Sequence, residues 1–150
     1  MSMPVDRTDL PRAERVIAAD IASVYAAIES VDKWSAWVPE VMAPIRVVGD
    51  ETYELLRASD GTSHTHRLRV ISRGPTHTFF AQLDDDYRFY FRTRPHQACT
   101  HVEVVAEQIS KRPRWRATRS RRVNAHRVAR LDLFLAQLAS YLEGDSTSLA

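Results

Sequence analysis

Two histidines, His64 and His66, stand one residue apart in the run His64–Ile71, read as HTHRLRVI. Side chains on a strand alternate between faces, so both imidazoles share the face of Leu68 and Val70. Thr65, Arg67 and Arg69 take the other face. An imidazole on an apolar face can bind a ligand, move a proton, or sit hydrogen-bonded in a core. His66 is the candidate catalytic residue, placed to polarise a carbonyl or move a proton. His64 lies nearer the Asp60-Gly61 turn and is expected at a pocket mouth. His-x-His spacing also serves some metal sites. No third ligand can be placed, however: His77, His96, His101 and His126 fall in turns, on the outer face or on another element. No metal and no other cofactor is expected.

Other catalytic templates fail. The chain has no GxSxG, CxxC or HExxH pattern, and its four glycines form no phosphate loop or dinucleotide fingerprint. Asp84, Asp85 and Asp86 read as a solvated acidic turn without the pattern of a calcium loop. The single cysteine, Cys99, reads as a small packing residue and cannot form an internal disulfide. Arg67, Arg69, Arg92 and Arg94 read as an outer-face stripe.

The elements that must position His66 follow from periodicity. Six strand-like runs follow a first strand expected at Arg12–Ala19: Ile45–Val48, Thr52–Ala58, His64–Ile71, Thr78–Leu83, Tyr87–Thr93 and Thr100–Ile109. Their short connections imply antiparallel neighbours. In Tyr87–Thr93 the alternation turns Tyr87, Phe89 and Phe91 inward and the arginines outward. Asp20 can cap a helix whose Ile21, Val24, Tyr25 and Ile28 make one apolar stripe. A second short turn carries Trp34 and Trp37 and is stopped by Pro39. The last helix is expected to begin between Pro113 and Thr118 and to end near Glu143 at Gly144. Its inward stripe is Val128, Leu131, Leu135, Leu138 and Leu142, widened by Phe134 and Tyr141. Arg127, Arg130, Gln137 and Ser140 are assigned to the opposite face.

With 150 residues and a net charge of +2, one domain is expected. No apolar run approaches a membrane span, and residues 1–15 lack an export signal pattern, so a cytoplasmic protein is expected. Charge is uneven: Lys111–Arg130 holds nine basic residues and no acid. This run is either a solvated surface or a dock for an acidic carrier protein or a lipid headgroup. No nucleic-acid motif accompanies it, and no nucleic-acid partner is expected.

From Val16 to Val41 the chain reads VIAADIASVYAAIESVDKWSAWVPEV. This stretch resembles the opening of the START-like, or SRPBCC, helix-grip superfamily, in its polyketide cyclase and lipid-transport branch. The resemblance rests on Ala18-Ala19-Asp20, Val24-Tyr25, Asp32, Trp34, Trp37 and Pro39, and the later elements match the superfamily's order. It implies an α+β helix-grip fold: a curved antiparallel sheet of six to seven strands around a long terminal helix, with two short helices after the first strand. The expected domain spans 12–144, with flexible ends at 1–11 and 145–150. It also implies an internal cavity for a hydrophobic small molecule. The function implied is that of a polyketide cyclase or aromatase, with lipid or quinone carriage and a co-chaperone-like interaction role as alternatives. The residues expected to line that cavity are Trp37, Tyr53, His64, His66, Leu68, Tyr87, Phe89 and Phe91. Val128, Leu131 and Leu135 on the helix face them.

Overall fold

The computed structural model describes residues 10–59, 61–74, 76–109 and 120–147. Seven strands form one antiparallel sheet: β1 (Arg12–Ile17), β2 (Val41–Gly49), β3 (Thr52–Ser59), β4 (Thr62–Gly74), β5 (Thr78–Leu83), β6 (Tyr87–His96) and β7 (Cys99–Gln108). Their order is β1-β7-β6-β5-β4-β3-β2, so every consecutive pair from β2 to β7 is a hairpin, and β1 closes back onto β7. Helix α1 (Ile21–Glu29) and a 3-10 turn (Val31–Ala36) link the two edge strands, and α2 (Ser120–Thr147) follows the sheet. This is the helix-grip architecture, with α2 packed over β1 and the inner face of the sheet.

Alternation decides which side of the sheet is the core. Phe91 and Thr93 on β6, Val102, Val104 and Ala106 on β7, and Leu68 and Val70 on β4 are all buried. Neighbours of opposite parity, Arg92 on β6 and Arg67 and Arg69 on β4, are exposed. A register shift between Val70 and Ser72 then reverses the parity of β4. Arg73 consequently meets the inner side beside Phe79 and pairs with Glu29 and Glu51. Its guanidinium also donates to the Glu29 carbonyl at the end of α1, which satisfies one of the helix's last free acceptors.

Strands β2, β3, β4 and β6 run longer than the sequence suggests, while β1 ends at Ile17 and not at Ala19. β2 starts at Val41, because an edge strand tolerates Pro44, which lies at a register shift. β6 continues through Pro95, because β5 pairs no further than Arg92 and leaves that side of the ladder open. Helix α2 passes through Gly144 to Thr147 instead of stopping there. A helical glycine costs only about 1 kcal/mol, and the Glu143 carboxylate ties this turn to β1 by accepting from the Ala18 amide at 2.8 Å. Residues 1–9 and 148–150, and the expected helix start between Pro113 and Thr118, lie outside the described residues.

Asp20 caps α1 as its position suggests, accepting from the Ser23 hydroxyl at 2.6 Å and the Ser23 amide at 3.3 Å. Those two bonds, the hydroxyl's first, hold its carboxyl below the ordinary value of 3.8. A lowered carboxylate contributes stability that is complete above the unfolded value and lost as pH falls through the folded one. The urea midpoint of the wild type should therefore drop more steeply than that of Asp20→Asn once pH falls below 3.8. Parallel acid limbs would show that the cap contributes nothing. Leu135, 1% exposed, is part of the closed core. Leu135→Ala should cost about 2–5 kcal/mol in denaturant unfolding. Leu131→Ala, at a cavity wall, should fall at or below the bottom of that range.

Candidate functional site

Between the inner face of the sheet and the first half of α2 lies a cavity of about 220 Å³. Its floor is apolar: Leu55 on β3, Leu68 on β4, Leu83 on β5, Phe89 and Phe91 on β6, and Val104 and Ala106 on β7. Trp34, Val38 and Val41 close one side, and Leu131 and Phe134 of α2 form the roof. Aromatic contacts fix that roof. The Phe134 ring lies 4.8 Å from Trp37, 5.5 Å from Trp34 and 5.7 Å from Phe91, centroid to centroid. Trp34 is pinned in turn by donating its indole N–H to the Ile28 carbonyl at 3.0 Å.

Against these apolar walls stand a few polar groups: Glu40, Arg57, His66, Tyr87, Arg127 and Arg130. His66 is the best organised. Its Nδ1 lies 2.7 Å from Asp84 Oδ2, while Asp84 Oδ1 accepts from the Arg67 amide at 2.8 Å. The Asp84 amide donates back to the Arg67 carbonyl at 2.8 Å, and Gln82 donates to the Asp84 carbonyl. Asp84 adopts φ 52°, a left-handed conformation that aspartate tolerates better than most residues. An ionised carboxylate can only accept, so the proton of this bond belongs to His66 Nδ1. Nε2 of the neutral ring is left as an acceptor, with no protein partner among the described residues.

On the roof side, Arg127 Nη2 donates to Gln108 at 2.7 Å and to the Tyr87 hydroxyl at 3.2 Å. Its guanidinium lies 5.2 Å from the Tyr87 ring centroid, within cation–π range. Glu40 has one oxygen, Oε2, buried with no hydrogen-bond partner among the described residues. An unpaired buried acceptor is costly, so a group carrying a proton is the natural complement of that position. The described residues contain no cluster of three metal-ligating side chains.

Of the residues expected from sequence, His66, Leu68, Tyr87, Phe89, Phe91 and Leu131 come together around the cavity. The structure places the other five elsewhere. Trp37 is buried behind the wall against Phe134, and Leu135 lies in the closed core below the cavity. Tyr53 packs against the edge of the core. Val128 is half-buried and does not border the cavity, and His64 is exposed, bonded to Thr62 at 3.2 Å. Two corrections come from spacing that the sequence already contained. Arg127 precedes Leu131 by four and Phe134 by seven, so it belongs to the inward stripe and not to the opposite face. Asp84 is no solvated turn carboxylate: with Leu68 paired to Leu83, the next step of the hairpin brings it beside Arg67 and His66. The rest of the basic run, residues 111–119, lies outside the described residues.

No protein-family model and no curated protein matches this chain. Solved structures do. The protein TTHA0849 from Thermus thermophilus is 18% identical with a TM-score of 0.70, covering 90% of this chain and 97% of its own. A START superfamily protein from Mycobacterium smegmatis is 16% identical with a TM-score of 0.60, covering 93% and 97%. The di-domain ARO/CYC protein StfQ of the steffimycin biosynthetic pathway is 14% identical with a TM-score of 0.67, covering 95% of this chain and 54% of its own. No helix among the described residues is long and apolar enough to cross a membrane. At these identities the likeness speaks for architecture alone: the chain has the START-like helix-grip fold.

Proposed function

We propose that this protein acts on a hydrophobic small molecule held in the cavity, as a cyclase or aromatase that folds a flexible chain and transfers protons. The observation that carries this reading is the His66–Asp84 pair. Its Nδ1 is tied to a carboxylate at 2.7 Å while the ring borders an apolar cavity. A ligand-holding wall alone needs no oriented imidazole with a free acceptor nitrogen. The likeness to StfQ in fold supports the same direction by analogy.

In a poly-β-ketone, the carbon between two carbonyls is acidic enough for a neutral imidazole to deprotonate. His66 Nε2 takes that proton, and the C–H electron pair passes into an enolate. The enolate carbon attacks a second carbonyl of the same chain, forming a C–C bond and an alkoxide. The Tyr87 hydroxyl, a donor at the wall, stabilises the oxygen as charge develops. The alkoxide takes the proton back from the imidazolium, and loss of water gives the unsaturated ring. No cofactor enters the balance. Most of the rate comes from holding the chain in one reactive fold, since orientation alone is worth several kcal/mol.

Asp84 positions His66 by fixing the tautomer. Nitrogen-15 correlation spectra should show the neutral His66 ring protonated at Nδ1 in the wild type and shifted toward the Nε2 form in Asp84→Ala. An unchanged tautomer would remove Asp84 from this role. With a synthetic poly-β-ketone thioester as substrate, His66→Ala should lower single-turnover ring formation by about 10²-fold or more. Turnover equal to wild type in a folded variant would eliminate His66 as the base. The carrier reading makes the opposite forecast: no turnover by the wild type, and a retained lipid or quinone in native mass spectra.

A further inference from the structure

We infer that the ligand of this cavity is an amphipathic anion, an organic acid whose apolar body lies on the phenylalanine floor and whose charged end meets Arg57, Arg127 and Arg130. The inference rests on the reading of the cavity as a small-molecule site and adds the charge and orientation of its occupant. Three guanidinium groups border the cavity against a single carboxylate, Glu40. Among the described residues, no carboxylate lies within ion-pair distance of any of the three.

Arg130 is exposed at the rim, while Arg57 and Arg127 differ from several other arginines among the described residues. Arg12, Arg46 and Arg73 each have a carboxylate partner. Arg67 and Arg69 point into water from the outer face. Arg57 and Arg127, by contrast, are half-buried against an apolar wall without a counter-charge. Partial burial of an unpaired cation costs free energy that an anion would offset. Arg127 spends only Nη2, on two neutral acceptors, which leaves the rest of its fork of donors open. Such a fork matches the oxygens of a carboxylate or phosphate better than any neutral group.

Placement agrees. Arg57 stands near the end of β3, in the hairpin that joins it to β4, and Tyr87 opens β6 after the neighbouring hairpin. Arg127 touches Tyr87 and Gln108, at the first residue of β6 and the last of β7. All therefore gather at one end of the sheet, while Phe89, Phe91 and Val104 lie deeper along the strands. An anionic head at this end lets the apolar body reach the floor. It also brings the first carbons after the head past His66, which sits on the same row as Leu55, two residues in from Arg57.

Two probes of the same shape separate charge from hydrophobicity: naphthalene-2-carboxylate and naphthalene-2-carboxamide, titrated by calorimetry. The carboxylate should bind about tenfold more tightly or better. Arg57→Gln and Arg127→Gln should each erase most of that preference while leaving carboxamide binding within about twofold, which also shows that the variants fold. The double variant Arg67→Gln/Arg69→Gln removes twice the charge of either single variant, from the outer face, and should leave the preference intact. Equal affinity for both probes would overturn the inference while keeping the cavity as a ligand site. A preference lost equally in the outer-face variant would overturn it too, as a net-charge effect. Binding of neither probe would overturn the cavity reading and this inference together.

Discussion

The packing of Phe134 is the contact on which the rest of this molecule depends. One ring on α2 meets Trp34 and Trp37 from the elbow and Phe91 from the sheet, all within 4.8–5.7 Å. Three segments far apart in sequence are thereby held in one arrangement. Edge-on aromatic contacts of this kind are worth about 0.5–1.5 kcal/mol each beyond the area they bury. They also set the height at which the helix crosses the sheet. Below Phe134, the leucines at 135 and 138 and Ala139 close the core completely. Above it the helix face changes character, and the cavity begins.

That change explains why the sheet is left partly uncovered. A curved seven-stranded sheet presents more apolar surface than one helix can cover. Helix α2 supplies leucines over its second half but arginines at 127 and 130 in its first. Guanidinium groups cannot sink onto Leu68 or Phe89 without losing their hydration, so they remain at the rim, where Gln108 and the Tyr87 ring hold Arg127. The void is the result of one helix carrying two kinds of face. Its aromatic floor and its polar rim therefore have a common origin.

The His66–Asp84 pair is organised by the backbone as much as by the side chains. The β5–β6 turn places Asp84 in a left-handed conformation, and two bonds with Arg67 hold it against β4: the Asp84 amide donates to the Arg67 carbonyl, and the Arg67 amide donates to the Asp84 carboxylate. With the carboxylate fixed on both oxygens, the imidazole has little freedom to rotate. Preorganisation of this kind distinguishes a group set up for proton transfer from one that merely fills space. The same turn in solvent-exposed form would give a more mobile histidine and no defined tautomer.

Much of this was present in the residue order. Alternation in β4, β6 and β7 put His66, Leu68, Phe89, Phe91, Val102 and Val104 on the inner face, because a pleated strand leaves only two directions for a side chain. The capped helix and tryptophan elbow from Asp20 to Val41 identified the helix-grip architecture. What the order of residues left undecided is how far each inward residue lies from its neighbours across the fold. Leu131 and Leu135 share one stripe, yet one borders the cavity and the other is sealed in the core; only the height of α2 over the sheet separates them. Asp84 became the partner of His66 through hairpin register, and Arg127, on the same stripe as Leu131, borders the cavity because that part of the stripe is left uncovered. Local periodicity determines the direction of a side chain, since it depends on backbone dihedrals alone. Which groups then meet depends on long-range packing, and that is decided only when Phe134 closes on the two tryptophans.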